Sequence, residues 1–344
     1  MSDEQAVDGP GRIVRFPAGT TNVGFALFGI QTHEDARTES FLADMRRLFG
    51  GPAGPGKVER CHRHDSDSGH HTILMAYWTG ARQARDFLAS RPVASWWDAL
   101  PVDDPGTGYW REVMTPRAGR FHYFGVGPHE VGITPLLGLQ ATDKFGYWGG
   151  YRDRMIDSAT DDFASPLPEL PEVRQVDSRG HRVAVTTPEN LCFVREGADT
   201  SHVVEPKEQK LWDDLLKPAS QKWISYLATS PHTSGCASIV DTVEQDLETG
   251  RDLRRASQFA YFLTLGHLEH AARTQPSHLA LYNAFMGAAT ELAENGIAMG
   301  LFVWAEAHIL RSGELSAEYV NCHPDTGLLP LFASAPSTVP GGVR

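Results

Sequence analysis

A chain of 344 residues with 41% hydrophobic side chains is long enough for one large domain or two small ones, each with a proper core. Its formal charge of −12 sets it against phosphate backbones and anionic lipid, which argues against nucleic acid and membrane surfaces as partners. The opening MSDEQAVDGPGR has neither a basic nor an apolar leader segment, and no apolar run approaches the roughly 18 residues of a membrane span. Cys61, Cys192, Cys236 and Cys322 are scattered, as reduced thiols are in a cytoplasmic protein, which is the expectation here.

In chain order, Gly9, Pro10 and Gly11 break any early element, so residues 1–20 read as a flexible N-terminus. Gly50 to Gly56 is a loop. Cys61-His62-Arg63-His64, with His70-His71 close behind, sits among Asp, Ser and Gly and reads as a solvated loop; a metal site is the alternative. Thr72 to Trp78 is an apolar strand and Ala81 to Trp97 the helix behind it. The proline-rich Ser165–Val173 breaks the chain. Asn190 to Val194 leads to Arg195, whose guanidinium either anchors an anion or reaches water. Gly235-Cys236-Ala237-Ser238 is a small-residue strand where a hydroxyl faces a ligand or where backbones pack closely. Ser257 to Thr264 is a strand, followed by helix from about Leu268, with Leu281, Phe285, Ala289 and Leu292 on one face.

Gly296 stops that helix, and Met299 to Leu310 predicts a strand. Alternation puts Leu301, Val303, Ala305, Ala307 and Ile309 on one side, and Phe302, Trp304, Glu306, His308 and Leu310 on the other. A short strand, Glu318 to Val320, runs into Asn321-Cys322-His323-Pro324-Asp325-Thr326-Gly327, where His323 either acts in a cleft or caps a turn. Ala76-Tyr77 is followed sixteen residues on by Pro92, and Ala260-Tyr261 sixteen residues on by Pro276, which predicts two related βα units. The fold class is α+β, with two sheets packed face to face or closed into a barrel. The domain expected is 21–335, with repeats over about 21–170 and 171–335 and a tail at 336–344. Nucleotide loops, HExxH, GxSxG and zinc spacings are all missing.

The chain resembles the haem-containing aldoxime dehydratases, which turn R–CH=N–OH into a nitrile and water. The likeness is carried by His70 to Trp97, Arg111-Glu112-Val113 with Pro116-Arg117, Gly146-Tyr147-Trp148-Gly149 with Arg152-Asp153-Arg154, and Glu189 to Arg195. It continues through Gly235 to Ser238, Pro276-Ser277-His278-Leu279, and Glu318 to Gly327. The resemblance implies two ferredoxin-like repeats forming a dimeric α+β barrel-type core with surrounding helices, bound haem b, a small aldoxime as partner, and compatibility with a homodimer. It puts the acid–base role on His323, with Ser238 and Arg195 positioning the oxime. An imidazole near neutrality suits that role, because hydroxide leaves only as it is protonated.

Two places depart from the family. A His-Glu pair is expected eighteen residues ahead of the motif's His, its His being the iron ligand; this chain has Ala305-Glu306. After Ser238 it has Ile239-Val240 in place of Asn-Arg. Three readings follow. His308 ligates the iron after a register shift; or haem binds with water or an external ligand beneath it; or the cavity is haem-free and takes another small molecule.

Overall fold

The computed structural model describes residues 11–334, apart from 127–128, 145–149, 175 and 177. Among the described residues thirteen strands join into one sheet in which every neighbouring pair is antiparallel, so the two separate sheets expected from the sequence are continuous. The first half contributes β2 (Gly24–Thr32), β3 (Lys57–Asp65), β4 (Gly69–Trp78) and β5 (Thr107–Met114). The second contributes β9 (Leu191–Asp199), β10 (Cys236–Gln245), β11 (Asp252–Phe262) and β12 (Phe302–Leu310). In space these lie in the order β5-β2-β4-β3 and β12-β9-β11-β10, the same order of first, second, third and fourth strand in each half. The halves are stitched where β10 meets β3, at Val243↔His62, Glu244↔Cys61 and Gln245↔Arg60. Beyond β12 lie β6 (Phe121–Val126), β1 (Gly11–Val14) and β7 (Leu139–Ala141); beyond β5 lie β13 (Leu315–Val320) and β8 (Arg182–Val185).

The helices fall on the outer faces. α1 (Asp35–Phe49), α2 (Ala81–Ala89) and α3 (Arg91–Asp98) cover the first half, burying Phe41, Met45, Phe87 and Trp97 against Phe28, Leu74 and Trp78. α4 (Lys217–Thr229), α5 (Leu265–Thr274) and α6 (Pro276–Glu294) cover the second. The inner faces of both halves share one core, with Phe25, Met75 and Tyr77 meeting Phe193, Tyr261 and Trp304. The Phe25 and Phe193 rings meet across it, tilted by 42° with centroids 5.4 Å apart.

A glycine lies under a tryptophan at matching places in each half. Gly29 of β2 is paired with Trp110 of β5, and Gly197 of β9 with Trp304 of β12. A Cβ at either glycine would fall 2.1 Å from the indole ring, so each tryptophan lies flat over bare backbone.

Several expectations change. The first twenty residues are not loose throughout, because Gly11–Val14 pairs with both β6 and β7. The predicted helix over 81–97 is two helices divided at Ser90, where Pro92 opens the second. The cysteine-histidine cluster is no loop: it lies on the β3–β4 hairpin, with His64 paired to His70. Its polar side chains alternate with buried Cys61 and line a strand flanked on both sides, which composition alone disguises. Among the described residues, no group of three or more His, Cys, Asp or Glu side chains could hold a metal ion. The turn-like Gly146–Gly149 lies outside the described residues. No described helix is long and apolar enough to cross a membrane.

Candidate active site

A large cavity separates the outer face of β9–β12 from α4 and α6, enclosing about 1020 Å³ including the part open to solvent. Small residues make the room: Ala198, Ala256 and Val303 form the sheet wall, where longer side chains would reach the helices. Trp223, Ile224, Leu281 and Phe285 form the helix wall, with Trp212 and Leu216 from a widened π-helical turn, Trp212–Leu216. Such turns are common at functional sites. Lys217, Ser220 and Gln221 add polar groups from the same helical side.

An in-register row crosses the sheet wall. Asp241 of β10 is paired with Gln258 of β11, Gln258 with Glu196 of β9, Glu196 with Ala305 of β12, and Ala305 with Phe124 of β6. Gln258 Nε2 donates to Asp241 Oδ1 at 3.1 Å, and Tyr151 Oη donates to Glu196 Oε1 at 2.9 Å. Burial raises the pKa of both Glu196 and Asp241, against their hydrogen bonds to Tyr151 and Gln258.

On the helix wall stands His278, three residues ahead of Leu281 and buried. Pro276 starts α6 and fixes where the imidazole emerges. A hydrogen bond with the Ala272 carbonyl orients the ring, which packs edge-on to Trp223 at 4.7 Å. Burial lowers its pKa, which favours the neutral form that ligates metals. A backbone carbonyl holding one ring nitrogen is the usual support behind a metal-bound histidine. A porphyrin needs broad apolar walls and an oriented neutral imidazole, and this cavity supplies both.

The residues singled out from the sequence fall in different places. Ser238 and His323 line a second cavity of about 790 Å³, which opens where β3 and β10 diverge, together with His71, Trp110, Glu112 and Tyr261. Arg195 lines neither. It is fully buried on the inner face, with Nη1 donating to Glu59 at 2.7 Å and to Tyr77 at 2.6 Å, and Nη2 donating to Glu244 at 2.6 Å. Ala305 is fully buried on the cavity side of β12, within the cluster that holds Tyr151 and Trp223. His308 points the opposite way. Its Nε2 lies 3.2 Å from Glu306, and its ring is packed against Phe25, Phe121 and Phe193, leaving no room for a porphyrin. His278 and Glu196 received no role from the sequence. A signal for His278 existed: it extends the stripe of Leu281 and Phe285 by one turn.

Residues 26–328 match the family described as haem-containing dehydratase. The chain is 31% identical to phenylacetaldoxime dehydratase of Bacillus sp. (strain OxB-1), covering 92% of this chain and 90% of that one. It is 28% identical to aliphatic aldoxime dehydratase of Pseudomonas chlororaphis, over 92% and 89% of the two chains. A crystal structure of aldoxime dehydratase superposes with a TM-score of 0.82 at 27% identity, covering 98% and 95% of the two chains. Another, in complex with butyraldoxime, gives 0.83 at 25% identity over 94% and 90%. With the match spanning nearly the whole folded chain, the chain belongs to the haem-containing dehydratases.

Proposed function

We propose that the chain dehydrates an aldoxime, R–CH=N–OH, to a nitrile and water, and that His278, on the cavity between the β9–β12 face and α4 and α6, would hold the iron of haem b. The observation that carries this reading is His278, oriented by the Ala272 carbonyl on an apolar cavity of about 1020 Å³. The haem, when bound, would supply a metal centre able to polarise the oxime and to lend electron density to the breaking N–O bond. The protein's share is the rest. Trp212, Trp223, Leu281 and Phe285 exclude water, and the polar row on the sheet wall meets the oxime hydroxyl.

The test is visible absorption of the protein with added haem, beside nitrile formation. The parent is expected to take up haem with a histidine-ligated spectrum. His278→Ala is expected to lose that signature and regain it when imidazole is added, since the truncated site leaves a gap of about one ring. Haem uptake unchanged by His278→Ala would overturn the ligand, and no uptake by the parent would make the cavity a haem-free binding site.

A second reading keeps His323 as the acid–base residue with Ser238 beside it, because the two share one cavity. Arg195 has no part in that pair, being bonded to Glu59, Glu244 and Tyr77. Loss of turnover in His323→Ala, with haem uptake intact, would favour it. For the fold, the matching strand orders support two ferredoxin-like repeats closed about the shared core, and the Gly–Trp pairs support the same equivalence. Assembly as a homodimer and a place in the cytoplasm belong to this reading; the four buried thiols, none in a disulfide, are consistent with a reducing compartment.

A further inference from the structure

A further cavity, of about 1120 Å³ including the part open to solvent, shares no residue with the two described above. It opens where β1 parts from β6. The two strands pair only at Gly11↔Val126 and Arg12↔Gly125, and β1 then follows β7, leaving one edge of Phe121–Tyr123 uncovered. Ile13, Phe16 and Phe121 give the cavity an apolar side, with Phe16 edge-on to Phe121 at 5.6 Å. Arg15, Lys144 and Arg154 line it too, against a single carboxylate, Asp143, which is a local reversal in a chain of net charge −12. Arg154 is engaged only by neutral groups: Nη1 donates to the Lys144 carbonyl at 2.7 Å, the guanidinium lies 4.5 Å over Phe124, and Nη2 has no hydrogen-bond partner among the described residues. Beside it His122 is buried and neutral, because burial and the nearby guanidinium both oppose its protonation. Arg154 Nε can only donate, and it lies 3.4 Å from His122 Nδ1. Nδ1 is therefore the acceptor, and the ring carries its proton on Nε2. That N–H is enclosed and has no acceptor, an unfavourable state that a bound acceptor relieves.

We propose that this cavity is a binding site for a small organic carboxylate, one oxygen accepting from His122 Nε2 and the other from Arg154 Nη2, with the apolar body against Phe16 and Phe121. The lining decides the ligand class. Cations outnumber the one carboxylate, so the head is an anion. Two donors lie together at the buried end, which matches a head of two oxygens. A phosphate would bring more oxygens and a second charge, and these would meet Phe121, Ile13 and Asp143. Arg15 and Lys144 are exposed and add their charge from the solvent side. The site has no residue in common with the haem cavity and does not depend on the haem reading.

The experiment is isothermal titration of the full chain with phenylacetate, phenylacetamide and inorganic phosphate. Phenylacetate is expected to bind one to one. Phenylacetamide, with the same body and no charge, and phosphate, with the charge and no body, are each expected to bind about 10-fold more weakly or worse. His122→Phe and Arg154→Gln are each expected to weaken phenylacetate by about 10-fold or more. Two exposed changes guard against misfolding: Arg15→Gln is expected to weaken binding a few-fold, and Asp143→Asn to tighten it, a gain that no misfolded variant gives. In the haem-loaded protein the visible bands are expected to stay unshifted throughout the titration. No binding of phenylacetate, equal binding of phosphate or of the amide, or an affinity unmoved by both Arg15→Gln and Asp143→Asn overturns the site. Bands that shift with the binding midpoint put the carboxylate on the iron, which overturns the site and leaves the haem reading intact. A chain that takes up no haem defeats that reading alone, since the calorimetry stands without it.

Discussion

Arg195, which the family resemblance would have position the oxime, is enclosed by two carboxylates and a phenol. It sits at 0% exposure between Glu59 and Glu244, which are themselves tied to Arg255 at 3.9 and 3.3 Å. Burial alone would pull its pKa down, yet Tyr77, Glu59 and Glu244 hold it well above the usual range. Two carboxylates need this guanidinium, and Arg195→Met leaves them inside without it. The expected cost is about 3–5 kcal/mol, read as a lower urea midpoint with an unchanged slope. Adding Glu59→Gln and Glu244→Gln should return much of that loss, because the penalty comes from stranded charge. If Arg195→Met lowers turnover while its stability stays at the parent's level, the guanidinium serves the reaction and not the fold. The residue type was legible in the sequence, but its partners lie on β3, β4 and β10, far along the chain, and only the closed core reveals them.

At the scale of elements, the Gly–Trp pairs do what side-chain packing does elsewhere. Gly197 lets the Trp304 indole lie on β9 while Val303 and Ala305, on the opposite face, stay small under the helices. Gly197→Ala forces the indole off its rotamer, with an expected loss of about 1–3 kcal/mol and a disturbed cavity wall. Gly29→Ala, against Trp110, should cost a similar amount without touching haem uptake, because it lies in the other half. Equal haem loss in both variants would show that the indoles do not act locally. The shared strand order of the two halves was foreshadowed by the spacing of Ala-Tyr and Pro, and the strands expected at 72–78 and 299–310 from apolar runs and alternation are found at Gly69–Trp78 and Phe302–Leu310. The hairpin carrying His64 and His70 could not, since its stability comes from β10 alongside and not from its own composition. The site was half legible for the same reason. Alternation placed Ala305 and His308 on opposite faces, whereas the meeting of α6 with the sheet depends on the whole chain.

For the whole molecule, buried titratable groups set the dependence of stability on pH, and their signs oppose. Burial, with Arg63 adding repulsion, lowers His71 to about 3; burial, with Arg154 nearby, holds fully enclosed His122 well below its ordinary value. Both imidazoles are neutral in the fold and free to protonate near 6.5 once it opens. The unfolded chain therefore binds more protons below that pH, and stability falls as the pH drops from about 6.5 towards 3. Buried Glu112 and Glu196 work the other way. Their folded values are raised, so the stability they contribute is complete below the unfolded value and declines as the pH rises through the folded one. The result is a stability dome with an acid limb drawn by imidazoles and an opposite limb drawn by carboxyls. Thermal melting between pH 7 and 4.5 should show the acid limb. His71→Gln, which keeps a group able to bond Ser68, should flatten it, since each pKa unit is worth about 1.4 kcal/mol. Glu196→Gln should flatten the other limb and leave the acid one alone. An acid slope in His71→Gln as steep as the parent's would mean that this imidazole is already charged in the folded protein, solvated from the cavity it lines.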